Sequence, residues 1–514
     1  MHLTPIIFLL LTILTLLSSC KRVIEAIDDF TEPAFGVYQD SIDTLRMRQH
    51  LSAIIAADSS GWNADLFVRH RYDTIASFGD IPLWFNLDDG VSPDADELLD
   101  YLRTELPQSA LDTTAFLIPQ IAADLNIIHH LAFDSLGQDI NEVLPRLDYN
   151  LSKAYVKYVT GTRYGFIRPA RLLNRLYYRE DSTYAHLYDY DTPVPNYQES
   201  LSQLSTSERI THLKASFPAN AQTFEALRQA LTSASTTEER HRIAVNMERC
   251  RWRIPHPDLS QRMVVVNLPS QQLWAVGGDT ILNMKVCYGA LKTKTPLLSS
   301  HINCMQINPE WVLPPKIVAS DFPRHAGDSA WFARHKYFVI DRRSGDTLNI
   351  NHLSADDMRN RQLRFVQRGG QGNSLGRIVF RFANSFSVYL HDTNSPGTFH
   401  RDRRAVSHGC VRVERPFDLA LFLLPDLDEW SIDRLRISMD LSPLTYRGME
   451  WLSNHTDSPR PYRLFTYHKV SPPIPVHLIY YTMYPNPMTG IMETHPDIYG
   501  YDQPLLRQLR SIIK

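Results

Sequence analysis

From about residue 40 to residue 235 the apolar positions recur every three or four residues, the spacing that turns one stripe of a helix toward a core. Segments 41–57, 94–105, 145–159 and 221–232 carry the pattern, and in the third of them Leu147, Leu151, Tyr155 and Tyr158 form the stripe. A further helix is expected over 235–253. It opens with Thr236 and Glu239 in a capping-box arrangement, runs through Ile243, Met247 and Cys250, and is broken by Pro255 and Pro257. Beyond Pro257 the period shortens to short β-rich runs, at 263–268, 272–276, 281–288, 302–308, 338–340, 377–382 and 387–390, with turn residues such as Gly277-Gly278 and Asn308-Pro309 between them. The polar stretch 344–376, with Gly369, Gly370 and Gly372, reads as an insertion or lid. A short helix begins near Pro416 and carries Leu419, Leu421 and Phe422, and from Tyr467 alternation returns through Val476, Leu478 and Tyr480.

These patterns predict an α+β chain: a mainly helical domain over 37–235, a linker helix over 236–258, a mainly β domain over 259–440 with an insertion at 341–376, and a C-terminal extension over 441–514 that adds strands. A length of 514 residues fits several such units at roughly 100 to 200 residues each. Hydrophobic residues at 43% and charged residues at 21% argue against a disordered chain or a polytopic membrane protein. Lys plus Arg number 53 against 56 for Asp plus Glu, a formal charge of −3, which excludes broad electrostatic capture of nucleic acid.

The N-terminus adds a targeting expectation. An apolar run from Ile6 to Leu17, too short for a comfortable membrane span, is followed at once by Ser18, Ser19 and Cys20. Leu17-Ser18-Ser19-Cys20 has the order of a bacterial lipobox, so residues 1–20 are expected to be a lipoprotein signal peptide, Cys20 the lipidated residue and 21–36 a linker. A membrane is then a partner through the lipid, and the expected location is the periplasmic side of the cell envelope.

Cys250, Cys287, Cys304 and Cys410 have no spacing of a disulfide framework, and Cys287 and Cys304 fall in apolar runs that suit buried free thiols. Cys410 differs. It ends Ser407-His408-Gly409-Cys410, is followed by Val411-Arg412, and lies 19 positions after His391 at the end of a predicted strand. A histidine on a strand end and a cysteine behind a glycine are what thiol catalysis asks for: a base that reaches sulfur and backbone that lets substrate approach. A neighbouring imidazolium and the arginines Arg401, Arg403, Arg404, Arg412 and Arg415 are expected to favour the thiolate and to attract a carboxylate-bearing substrate, and amides near Gly409 and Cys410 to donate to an oxyanion. Two other readings stand beside this one: a zinc site built from His391, His400, His408 and Cys410, and an inert core thiol at Cys410. The catalytic reading needs no cofactor and no metal.

The His391 to Ser407-His408-Gly409-Cys410-Val411-Arg412 arrangement resembles the signature of the L,D-transpeptidases. Gly289, Thr295-Pro296, Asn308-Pro309-Glu310-Trp311, Leu375-Gly376-Arg377 and Ser387 to Thr393 extend the resemblance, which is nearest to the large periplasmic members with an N-terminal helical scaffold domain. The resemblance implies that this scaffold precedes a mainly β catalytic sandwich with a capping insertion. It implies attack by Cys410 on the L,D bond of a peptidoglycan tetrapeptide stem, release of D-alanine, and transfer of the thioester to the side-chain amine of a second stem as a 3-3 cross-link. It also implies His391 as general base and then acid, the Asp392 backbone carbonyl as its orienter, and Ser407, His408, Gly409 and Arg412 as shapers of the loop and the substrate subsite. Stem peptides are the implied donor and acceptor, and a cell-wall synthase partner is left open. Large members often carry a small peptidoglycan-binding module before the last linker helix, and the interval between Phe224-Glu225-Ala226-Leu227-Arg228 and Asn246-Met247-Glu248-Arg249 leaves no room for one. An L,D-carboxypeptidase or cross-link hydrolase on the same scaffold, and a catalytically silent envelope-binding lipoprotein, are the rival functions.

Overall fold

The computed structural model describes residues 34–74, 82–177, 185–190, 192–252 and 261–514. The expected signal peptide, Cys20, most of the 21–36 linker and the end of the 236–258 helix therefore lie outside the described residues. The chain divides into two compact units: one formed by 1–166, 194–218 and 510–514, the other by 167–193 and 219–509.

The first unit is helical, with Thr44–Ala57, Asn63–Thr74, Pro93–Gln108, Ile118–His129 and Ile140–Tyr164 as its longest elements. Asp43 and Ser92 cap the first and third of these by accepting from first-turn amides. Ile140–Tyr164 is buried along almost its whole length, so even its polar side chains need partners. Asp148, fully buried, accepts from Leu83 N at 2.8 Å, Trp84 N at 2.9 Å and Tyr72 Oη at 2.6 Å. Lys153 and Lys157 reach Asp58 and Asp65 at 2.6 and 2.7 Å. Sequence periodicity finds the apolar stripe of this helix, but it gives no sign that the polar face is covered too.

In the second unit, β1 (Met263–Asn267), β2 (Gln272–Gly277), β3 (Thr280–Gly289), β4 (Leu297–Ile307), β5 (Ile378–Phe382), β6 (Leu390–His391), β7 (Val411–Val413) and β8 (Tyr467–Ile479) join in the order β5-β6-β7-β3-β2-β1-β8-β4. A further pairing of β4 with β5 closes the ring into a barrel. Most neighbours are antiparallel; β6 with β7 and β1 with β8 are parallel. All five residues of β1 are buried, so both of its faces are covered, as its unbroken apolar run requires.

Three features differ from the sequence-based expectation or go beyond it. The extension after Tyr467 adds its strand, as expected, but not at a margin that periodicity could indicate: β8 is an interior barrel strand between β1 and β4. The helix Thr237–Arg251 is no free linker, since residues 243–251 are buried and Arg249 pairs with Asp502 at 2.6 Å within the second unit. Residues 167–193 also join this unit, because Tyr188–Asp189 pairs in parallel with the start of β4.

The insertion begins about thirty residues before its expected start. Trp311–Val312, Leu363–Gln367 and Tyr337–Asp341 form a separate three-stranded sheet, with helices Pro315–Asp321 and Ser329–Arg334 beside it. Leu313, Val318, Phe322, Phe332, Val339 and Phe365 give this cap a hydrophobic core of its own. The run 338–340, read as a strand of the main β domain outside the insertion, belongs to it; a short apolar run shows that a strand is buried but not in which core.

Replacing Asp148 by Ala leaves the Leu83 and Trp84 amides without this acceptor and the Tyr72 hydroxyl with Ser152 as its remaining side-chain partner, which should cost on the order of 3 kcal/mol in the helical unit. Asp148→Asn, which keeps one carbonyl oxygen, should lose less than half as much. Chemical unfolding followed by far-ultraviolet circular dichroism reads the difference, and an unchanged Asp148→Ala transition would show that the network adds nothing.

Candidate active site

The site is set by the register between β6 and β7. Leu390 pairs with Val411 and His391 with Arg412, and Val411 N donates to Tyr389 O at 3.1 Å, which brings Cys410 alongside Tyr389. Side chains alternate along a strand, so Leu390 and Val411 face the core while Tyr389, His391, Cys410 and Arg412 share the other face. These four line one cavity of about 630 Å³ together with Ser407 and, from the cap, Trp311. The 19 intervening residues are a crossover of the kind parallel neighbours require.

The loop before Cys410 is held from several sides. Ser407 Oγ donates to Cys410 O at 2.5 Å and accepts from Gly409 N at 3.1 Å, closing the turn on itself. Gly409 sits at φ +121°, a conformation side chains rarely adopt. Thr293 Oγ1 donates to Ser407 O and Thr295 Oγ1 to Gly409 O, both at 2.9 Å. Thr295 N in turn donates to Tyr499 Oη, which donates to Gly289 O at 2.7 Å. The Gly409 amide, one of the two expected to donate to an oxyanion, is thus engaged by Ser407 Oγ.

His391 is buried and its Nδ1 has no hydrogen-bond partner. Backbone groups of Asp392 and Leu375 act on the imidazole and oppose its loss of basicity. The Asp392 carboxylate serves the backbone instead: it accepts from Arg377 N and Thr393 N, both at 2.7 Å, and so holds the turn that carries Leu375. A Cβ on Gly376 would lie 2.4 Å from this carboxylate, so only glycine fits there.

Electrostatics depart from the expected thiolate and imidazolium. Burial, aided by the Arg412 charge, draws the His391 pKa down to about 3. Burial pushes the Cys410 thiol up to about 11, against the pull of Tyr389 and the more distant Arg412 and Arg381. Both groups are therefore neutral at pH 7, and the half-buried thiol points at Ser387 O, 4.0 Å away. A neutral imidazole is competent as a base.

The arginine cluster also disperses. Arg404 is buried and donates to the carbonyls of Val286, Gln271 and Arg401, while Arg415 donates to Asn283 O. Of the five, Arg412 alone lines the cavity with Cys410, and its Nε is a buried donor without a partner. His408 lines the cavity too, but its side chain is half exposed and lies 4.0 Å from Asp321 of the cap. His400 is exposed on the turn Pro396–His400 and does not line the cavity, so the four-residue zinc arrangement does not assemble. Cys250, Cys287 and Cys304 are buried free thiols. Sequence reasoning gave no role to Tyr389, Thr293 or Thr295; the two-residue spacing from Tyr389 to His391 was the one local sign of a shared face.

Residues 261–430 match the family described as the L,D-transpeptidase catalytic domain, and residues 76–231 match the Scaffold domain. The chain carries an L,D-transpeptidase catalytic domain behind a Scaffold domain. A protein of Haemophilus influenzae named "Putative L,D-transpeptidase" is 27% identical over 286 residues, 55% of this chain and 53% of that protein. The chain thus spans about half the length of the curated relative it matches. The barrel, the cap and the Cys410 loop all start within the span of the transpeptidase domain, and β8 lies beyond it.

A neutral pair in the transpeptidase domain has a measurable consequence. Alkylation of Cys410 by iodoacetamide should be slow at pH 7 and rise by about tenfold per pH unit toward pH 10, since the reagent needs thiolate. Intact-mass spectrometry follows the adduct; full-rate labelling at pH 6 would establish a thiolate and imidazolium pair instead.

Proposed function

We propose that this chain is an L,D-transpeptidase that forms 3-3 cross-links between peptidoglycan stems. The observation that supports this most directly is that Cys410, His391 and Arg412 line one cavity, with no hydrogen-bond partner on His391 Nδ1. His391 Nδ1 takes the thiol proton as Cys410 Sγ bonds to the carbonyl carbon of the L,D peptide bond of a tetrapeptide stem. The Cys410 amide donates to the developing oxyanion. The C–N bond then breaks, the imidazolium returns the proton to the departing amine, and D-alanine leaves. The side-chain amine of a second stem attacks the thioester, loses its proton to His391, and releases Cys410 as thiol. The Asp392 carboxylate positions the backbone around the imidazole, and Ser407 and Gly409 hold the nucleophile's turn. The proposed setting is the periplasmic envelope, with lipid on Cys20 as the membrane anchor.

Incubation with tetrapeptide muropeptides and mass analysis tests the reading. A 3-3 dimer supports it, a tripeptide alone points to a carboxypeptidase, and no change in any substrate points to a binding lipoprotein. Cys410→Ala should abolish product. His391→Ala should lose on the order of 100-fold to 10,000-fold in acylation rate, the usual contribution of a positioned base, and His408→Ala much less. A larger loss from His408→Ala with the fold intact would exchange the two roles. For the anchor, Cys20→Ser should move the protein from the membrane to the soluble fraction of the producing cells; equal membrane retention would rule the lipid out.

A further inference from the structure

A second cavity, of about 790 Å³, borders the nucleophile loop at His408 and Gly409 and shares Thr293, Lys316, Phe386, Val388 and His408 with the first. Its charge sets it apart. Lys292 and Lys294 enter from the loop after β3 and Lys316 from the cap helix, and no carboxylate is among its described lining residues.

Lys294 is the built part of this wall. Its neighbours Thr293 and Thr295 turn toward the nucleophile loop and donate to Ser407 O and Gly409 O. The Lys294 side chain leaves in the other direction, and Nζ lies 3.0 Å from the centroid of the Tyr177 ring. That ring is itself fixed, because Tyr177 Oη donates to Tyr499 O at 2.7 Å. The lysine is half-buried, no carboxylate pairs with it among the described residues, and burial draws its pKa down to about 8. A cation held on an aromatic face, partly out of water and with no carboxylate partner among the described residues, gains most from an anion that a ligand brings.

We propose that this cavity is an anion subsite that grips a free carboxylate of the peptidoglycan stem peptide, with Lys294 as its ion partner and Lys292 and Lys316 as the surrounding field. The proposal rests on the transpeptidase reading for the identity of the ligand. Two stems could supply the group: the donor ends in the carboxylate of the departing D-alanine, and the acceptor carries carboxylates of its own. In either case the same tripeptide that braces the nucleophile loop would also seat the ligand, coupling recognition to the geometry of Cys410.

The test measures binding and turnover separately in the full chain. Calorimetric titration of the Cys410→Ala form with a purified tetrapeptide muropeptide should show an affinity about tenfold or more lower when Lys294→Met is added, and recovery with Lys294→Arg. A muropeptide with amidated carboxylates should bind the Lys294 form weakly and be indifferent to Lys294→Met. In the form that retains Cys410, a Lys294→Met shift in the concentration dependence of thioester formation assigns the donor carboxylate, and a shift confined to the transfer step assigns the acceptor. Unchanged affinity in Lys294→Met, or equal binding of the amidated peptide, overturns the subsite. Binding that depends on Lys294 without any thioester keeps the subsite and overturns the transpeptidase reading. Should Lys294→Met unfold, the Lys294→Arg form and the amidated peptide still decide.

Discussion

The parallel contact between β6 and β7 is the constraint on which the centre of this protein depends. Two strands of two and three residues carry little pairing energy of their own, yet their register alone determines that His391 faces the same cavity as Cys410 and Arg412. A slip of one residue would send the imidazole into the barrel core and bring Leu390 to the site. The register is protected by what flanks it. β5 and β3 bound the pair on either side, and the Thr293, Thr295 and Tyr499 bonds pin the loop that delivers Cys410.

Burial sets the chemistry of this arrangement. The cap contributes Trp311 and the residues around Pro314 to the cavity wall, and its separate core lets it cover the site without opening the barrel. In that setting charge is costly, so the thiol and imidazole rest as neutral groups while Arg412 keeps its charge beside them. An arginine with an unpartnered buried Nε is poorly compensated in the resting protein. Negative charge brought beside Arg412 would relieve that imbalance.

The helical unit meets a related problem with a different solution. Its central helix is surrounded on all sides, so its polar residues are satisfied internally by Asp148 and by the paired lysines and carboxylates around Lys153 and Lys157. Such networks add specificity to packing because each partner must sit in one place.

Much of this was legible locally. Periodicity marked helices near 44–57, 93–108, 140–164, 221–233 and 237–251 and most of the barrel strands, because which face of an element is buried is written in spacing. The His391 and Ser407-His408-Gly409-Cys410 pattern likewise marked two residues that the structure brings to one cavity, because thiol chemistry demands those residue types. Periodicity could not say that 338–340 belongs to the cap, that β8 is interior, or that residues 167–193 join the barrel unit. Nor could composition tell Arg404, spent on backbone carbonyls, from Arg412, which faces the cavity. Those outcomes rest on pairing between segments far apart in the chain, and on how deeply that pairing buries each charge. The amino-acid sequence alone determined the kinds of element and which residues are candidates for the chemistry. The tertiary structure decided their register, their burial and hence their protonation, since desolvation depends on everything that surrounds a group in space.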